Sequence, residues 1–334
     1  MAQTLFDKIW NDHLVNRSSG FPDTLYIDTH FIDKAGSKGA FDALRHRDIP
    51  VFRSKQTFEL LDPEYPLEEQ QYFQSGPAYK KCREFGMRIH PKDVYYHSSL
   101  PVLPGQIIAC NLKRKDQFGA FGTIAINITE IQTTQVLATQ CILMHRPKTM
   151  KIEVNGKLGK DLCAKDINEY LISEISPDGA RGYFVELGGD TIQSLDLDSR
   201  MTLCNLSRGI GAVGGIIAPD ELTMNYLTNI GYCAEDGLNE NYSDYWKTLF
   251  SDDTSVFDEV LEFDAEDIRP GTPGSLAAKS LSTGEALNEL SVSCDTSGFI
   301  EGNNEIDYIL SQKDSIEEFE KSQAFKTCDG VNPF

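Results

Sequence analysis

The segment 150–187, MKIEVNGKLGKDLCAKDINEYLISEISPDGARGYFVEL, decides the fold class. It opens on a short apolar run, Met150–Val154, and closes on another, Gly182–Leu187, both of strand length. Between them, Asp166–Ile175 sets Ile167, Tyr170 and Leu171 at helical spacing, so one face of a helix is apolar. The same alternation extends outward along the chain. Thr24–Ile27 and Gln106–Cys110 read as strands. Ser37–Arg47, with Phe41 and Leu44 on one face, and Ile131–Met144, with Val136, Ile142 and Leu143 among polar residues, read as amphipathic helices. Strands alternating with helices predict an α/β fold in which helices pack on a sheet.

The chain has 334 residues, 40% hydrophobic and 25% charged, enough for about two domains and a sizeable core. Its formal net charge of -20 argues against a nucleic-acid or anionic-membrane surface, since both require a clustered basic face. No apolar run approaches the length needed to span a bilayer, and the start, MAQTLFDKIWNDHL, carries charges where a signal peptide would be apolar. A cytoplasmic location is expected. The eight cysteines form no C-x-x-C pair and no tight framework, which is the usage of a reducing compartment.

Glycines cluster at Gly119–Gly122, Gly188–Gly189 and Gly209–Gly215, yet none stands as G-x-G-x-x-G or a Walker loop after a strand. Nucleotide binding is therefore not expected. Arg269-Pro270-Gly271-Thr272-Pro273-Gly274-Ser275 is Pro/Gly punctuation that marks a boundary, and the residues after it are polar and weakly periodic.

Several segments resemble the large subunit of 3-isopropylmalate dehydratase, in the aconitase superfamily. They include Thr4–Lys8, Leu25–His30, Gly119–Gly122, Val136–Gln140, Arg146–Met150, Glu153–Leu158, Arg200–Asn205, Ile217–Glu221 and Phe263–Ile268, in order along the chain. The resemblance implies three-layer α/β/α domains. It divides the chain into a core over 1–275, of two subdomains, and a shortened remnant of the cluster-binding third domain over 276–334. Members of the family hold a [4Fe–4S] cluster on three cysteines, with one iron open as a Lewis acid for a hydroxy acid, and they exchange its hydroxyl by dehydration and rehydration.

This chain departs from the family at the positions that carry the chemistry. The family's Cys-Gly-Asp-Ser-His-Thr-Ser-Thr-His-Gly-Ala-Phe-Gly stretch falls on Cys110–Gly122, where Lys113-Arg114 replaces the Ser-His pair. Its Met-Asp-His-Asn motif falls on Leu61–Glu64, keeping Asp62 and replacing the His with Pro63. Its Cys-Asn-Met-Ser-Ile-Glu motif falls on Cys204–Gly209, keeping Asn205 and placing Arg208 and Gly209 where Ile and Glu stand. Among cluster ligands, Cys294 and Cys328 are loose counterparts, and Phe325 stands where a third cysteine is expected.

These departures lead to the expectation that no cofactor is bound, with Cys294 and Cys328 as degenerate cluster positions. The main reading is a repurposed lyase or isomerase acting on a small carboxylate-bearing metabolite in a specialised biosynthetic pathway. Lys113, Arg114, Asn205 and Arg208 would bind the substrate, and Asp62 or His30 would move a proton. The bland alternative for Lys113-Arg114-Lys115 is a solvated basic turn, and for His30 a structural hydrogen bond. A second reading is a catalytically inactive protein that binds or regulates a partner, and a third is an isopropylmalate dehydratase large subunit proper. Expected partners are a small carboxylic acid and either a small subunit of the isopropylmalate dehydratase type or a second copy of the chain.

Overall fold

The computed structural model describes residues 2–32, 38–60, 77–90, 102–110, 115–230, 244–270 and 302–322. Within them the strands are β1 (Leu14–Asn16), β2 (Asp23–Tyr26), β3 (Thr29–Ile32), β4 (Thr57–Leu60), β5 (Arg88–His90) and β6 (Ile107–Cys110). They continue with β7 (Ile124–Asn127), β8 (Cys141–Met144), β9 (Lys148–Asn155), β10 (Tyr183–Gly188), β11 (Gly214–Ile217) and β12 (Glu259–Asp264). The helices are α1 (Leu5–Asp12), α2 (Lys38–His46), α3 (Pro77–Glu84), α4 (Glu130–Thr139), α5 (Ala164–Ile175) and α6 (Asp190–Gln193). Then come α7 (Leu197–Cys204), α8 (Leu206–Gly209), α9 (Glu221–Asn229), α10 (Gly302–Leu310) and α11 (Lys313–Ser322).

Two parallel sheets organise the molecule, one ordered β5-β4-β3-β6-β7 and the other β11-β10-β9-β12. Parallel strands require crossover helices that cover both faces, and successive side chains of β3 show this. Phe31 packs on Phe58 and Phe118, while Ile32, its neighbour, joins Phe41, Leu44, Cys82 and Met87 in a separate cluster. Alternate residues of one strand thus feed two layers, as the three-layer α/β/α expectation requires. A third, antiparallel sheet, β1-β2-β8, borders the first.

The second sheet is tied to the antiparallel sheet through α1, whose Trp10 indole donates to Asp23 at the start of β2. Thr4 caps this helix with a reciprocal capping box to Asp7. The buried side chains Leu5, Phe6, Ile9 and Trp10 fall three and four residues apart, and the Phe6 ring lies 4.8 Å from Phe184 of β10 and 5.2 Å from Trp10. Glu186, one turn of the pleat further along β10, is buried with both carboxylate oxygens on the Ser251 hydroxyl, which itself accepts the Leu5 N–H. Burial raises the Glu186 pKa, against the opposing pull of the Ser251 hydroxyl, the Lys151 ammonium and the Leu5 N–H.

One expected helix is shorter than its pattern. The pattern of Ile131–Met144 predicts one continuous helix, but α4 ends at Thr139 and Cys141–Met144 is β8, paired antiparallel with β2. Gln140 makes the break. It adopts a left-handed conformation, φ 58°, held by two bonds to Ile27: its carbonyl accepts the Ile27 N–H and its side-chain amide donates to the Ile27 carbonyl. Ile142 and Leu143 suit either a helix face or a strand, and only this distant contact decides between them.

The helices α10 and α11 return to the antiparallel sheet. Ile309 and Ile316 pack with Tyr26, Cys141 and Leu143, and Phe21 stacks on Tyr308. Arg53 forms a two-pronged ion pair with Glu320, which also accepts the Tyr26 hydroxyl at 3.0 Å. No helix among the described residues is long and apolar enough to cross a membrane.

His13 closes the C-terminal end of α1. Its Nδ1 lies 2.7 Å from the Ile9 carbonyl and its Nε2 2.7 Å from Asp28 Oδ2, and both of these atoms are acceptors. Burial opposes charge on the ring, but the Asp28 carboxylate and its hydrogen bond outweigh it, so the His13 pKa is raised above 6.5. Its contribution to stability is complete below the unfolded value of about 6.5 and is lost as pH rises through the higher folded value. Thermal melts should therefore show stability declining on the alkaline side of about pH 6.5, and His13→Asn should flatten that decline. Phe6→Ala, which empties the junction between α1 and β10, should cost about 3–5 kcal/mol in urea unfolding.

Candidate functional site

The residues that can engage an anion gather where the first sheet meets the second. After β6 the chain passes through residues 111–114 into a 3-10 turn, Lys115–Phe121, that lies directly on β11. The approach is possible because residue 119 has no side chain: a Cβ there would stand 1.9 Å from the Gly215 carbonyl oxygen. Gly122 follows at φ +73°, against the Pro219 ring, so the far end of the turn is pinned as well.

This packing buries an ion pair. Lys115 Nζ lies 2.6 Å from Asp116 Oδ1, and both side chains are nearly inaccessible. The other Asp116 oxygen faces Arg208 Nη2 at 3.3 Å, from α8 on the opposite side of the junction. Arg208 is half-exposed, so its guanidinium touches Asp116 with one edge and solvent with the rest. Two cations against one carboxylate leave a net positive charge in a chain of net charge -20. A planar guanidinium whose outer edge has no partner among the described residues suits a carboxylate or phosphate, which it can hold by two parallel bonds.

Asn205 stands three residues before Arg208, at the C-terminal cap of α7, with its side-chain amide donating to the Met201 carbonyl at 3.2 Å. Arg200 was not singled out by the sequence, and it proves to be a fully buried structural cation. It donates to the Gln193 carbonyl at 2.7 Å and to Asp220 at 2.6 Å, and Asp220 in turn caps α9. Asp116 likewise carries no motif of its own. Its only signal in the sequence is an acid directly after three bases.

His30 lies in the centre of the first sheet, in register with Thr57 on β4 and Ala109 on β6. It is fully buried, and neither ring nitrogen has a hydrogen-bond partner among the described residues. Burial pushes its pKa down to about 3, so the ring is neutral at physiological pH. Asp62, Lys113, Arg114, Cys294 and Cys328 lie outside the described residues. Of the site residues expected from sequence, the structure thus brings Arg208 to Asp116 and Lys115, turns the Asn205 amide back onto its own helix, and sets His30 on the strand next to β6.

The Aconitase family (aconitate hydratase) matches residues 7–283. The chain belongs to this family. It is 38% identical over 326 residues to the 3-isopropylmalate dehydratase large subunit of Cytophaga hutchinsonii, covering 92% of this chain and 70% of that one. It is 40% identical over 283 residues to the protein of the same name from Bacteroides thetaiotaomicron, covering 80% of this chain and 61% of that one. The match to the Bifidobacterium longum protein of that name is 38% over 287 residues, 81% of this chain and 62% of that one. The chain therefore spans between 61% and 70% of the length of these relatives. Among solved structures, Thermococcus kodakaraensis aconitase X aligns with a TM-score of 0.38 at 11% identity, over 73% of this chain and 58% of that one. Family membership rests on the sequence matches.

Membership corrects one expectation. The sequence departures had suggested a protein without a cofactor, but the aconitase family and its isopropylmalate dehydratases normally bind a [4Fe–4S] cluster. Three of the described thiols are tied to the protein interior. Burial raises the pKa values of Cys141 and Cys204, which holds both as thiols, and the Cys82 thiol donates to Glu59. The cysteines that the resemblance sets against the cluster, Cys294 and Cys328, are in the segments outside the described residues.

The glycine contact under the turn is the feature most open to test. Gly119→Ala forces the turn away from Gly215, and overpacking of this kind costs typically about 1–3 kcal/mol. Urea unfolding should show a loss of at least that size, with a smaller effect at Gly188, where a Cβ would meet nothing within 4 Å.

Proposed function

We propose that the chain provides the cleft of an isopropylmalate dehydratase-like lyase or isomerase acting on a small carboxylate-bearing acid. The observation that carries this is the Lys115–Asp116–Arg208 group, a net positive, half-open arrangement on the turn that the resemblance sets against the family's Ser-His stretch. Asp116 holds Lys115 and Arg208 in place, and the outer edge of Arg208 receives a carboxylate. Lys113 and Arg114, directly before Lys115 in the chain, add to the same anion site, and Asn205 supports it from α7. Asp62 moves the proton in this reading, since His30 is neutral at physiological pH and far from its usual titration range. A bound cluster would supply the Lewis acid for a hydroxyl group.

The relatives are named large subunits, which supports a small-subunit partner for this chain. The identity of 38–40% also supports a second reading, that the chain is part of an ordinary 3-isopropylmalate dehydratase large subunit with 1–275 as its core and 276–334 as part of its third domain. The replacement of the family's Ser-His pair by Lys113-Arg114 favours a changed substrate or a silent, partner-binding role instead.

A thermal-shift screen of malate-like and citrate-like acids tests the proposal. A ligand at 100 times its dissociation constant stabilises by about 2.7 kcal/mol, so a true substrate should raise the melting temperature clearly. That shift should disappear in Arg208→Ala and in Lys113→Ala. A screen in which no acid stabilises the protein, or in which both variants respond like the parent, would reject the carboxylate cleft. Iron and sulfide content after anaerobic reconstitution separates the readings further, because an ordinary large subunit should take up a full cluster.

A further inference from the structure

The strand β12 ends the second sheet and carries no residue of the group described above. It pairs with β9 on one side, and no described strand lies on the other. Strands of a parallel sheet are ordinarily covered on both faces, yet four of the six β12 residues are exposed and none is buried. Val260 is 49% exposed, and Val256, just before the strand, is 84% exposed. Alternate residues of a strand turn their N–H and C=O groups to opposite edges, so half of the β12 backbone groups face away from β9.

The sheet face beside this edge is open as well. The Phe184 ring meets Phe6 of α1, which covers the start of β10. One row on, Glu186, Lys151 of β9 and Val260 stand in register on that same face, followed by Gly188, Glu153 and Glu262. A Cβ on Gly188 would meet nothing within 4 Å, so no described residue sits on the face there.

The charge of the edge sets the chemistry of what can pair with it. Residues 251–268 contain eight carboxylates and no Lys, Arg or His. Lys151, the cation of the neighbouring row, is engaged by Glu153 at 2.6 Å and lies over the Phe257 ring. A second copy of this chain would set eight further carboxylates against these eight, and like charges opposite one another on paired strands are destabilising. A basic strand meets the reverse condition. The side chains of Asp258, Val260, Glu262 and Asp264 fall on one face of the strand, and those of Leu261 and Phe263 on the other, where both are half-buried and Phe263 packs edge-on to Tyr170.

We propose that β12 is extended by a strand of a partner polypeptide in which Lys or Arg alternates with apolar residues. The basic side chains face Asp258, Glu262 and Asp264, the apolar ones lie beside Leu261 and Phe263, and the outward backbone groups of β12 bond a fifth strand onto the sheet.

Calorimetric titration of the full chain with acetyl-Lys-Val-Lys-Leu-Lys-Val-Lys-amide tests the assignment. Two control peptides accompany it, one with Glu for every Lys and one N-methylated at alternate amides, which keeps the charge and loses the strand bonds. The basic peptide should bind, the acidic one should not, and the N-methylated one should bind at least about tenfold more weakly. Glu262→Lys should weaken the basic peptide about tenfold, whereas Asp161→Lys, on an exposed turn elsewhere, should change it less than about twofold. Hydrogen exchange should find about half of the 259–264 amides unprotected in the free chain and slowed when the basic peptide is bound. Equal binding of the N-methylated peptide would mean attraction by charge alone and overturn the proposal. So would failure of the basic peptide to bind, an unchanged affinity in Glu262→Lys, or full protection of 259–264 in the free chain, which would show the edge already taken by another part of this chain or by a second copy.

Discussion

The carbonyl of Gly215 occupies the place where a side chain on residue 119 would begin. This contact lets a turn from the first sheet rest on the backbone of a strand in the second, with no layer of side chains between them. Everything at the candidate site depends on it. It places Asp116 within reach of Arg208, two residues that share no secondary element, and it seals the Lys115–Asp116 pair from water. An ion pair taken out of water is a poor source of stability by itself, because desolvation offsets much of the attraction. Its value lies in geometry: one carboxylate fixes two cations across a junction.

The α/β architecture was legible in the sequence because it rests on periodicity, and periodicity is local. Asp166–Ile175 was expected as a helix and is found as Ala164–Ile175, and Met150–Val154 and Gly182–Leu187 fall within or across β9 and β10. The failure at Ile131–Met144 has a physical reason of another kind. Its second half is a strand only because Ile27, more than a hundred residues earlier, holds Gln140 in a left-handed turn. The apolar pattern of Ile142 and Leu143 carries no trace of that partner.

The candidate site was legible in part. Arg208 and Asn205 were found through the alignment of short motifs, but Asp116 was not, since an acid beside three bases has many ordinary explanations. His30 was chosen as a histidine at a family-like position, and the sequence could not show that it would sit at full burial between two strands, where desolvation holds it neutral. The expectation about the cofactor erred in a different way. It took substitutions at individual ligand positions as evidence against a group that the family as a whole normally binds.

The return of α10 and α11 to the antiparallel sheet bears on how the protein is made. Arg53 and its partner Glu320 are separated by 267 residues, and Tyr26 and Glu320 by 294. At about 5–20 residues per second, a ribosome needs on the order of tens of seconds after Arg53 emerges to supply the glutamate. Throughout that interval the surface around Tyr26, Cys141 and Leu143 has no cover from Ile309 and Ile316. The antiparallel sheet is thus an exposed apolar surface until α10 and α11 are made, and a nascent chain of this kind has reason to engage a chaperone there in the meantime.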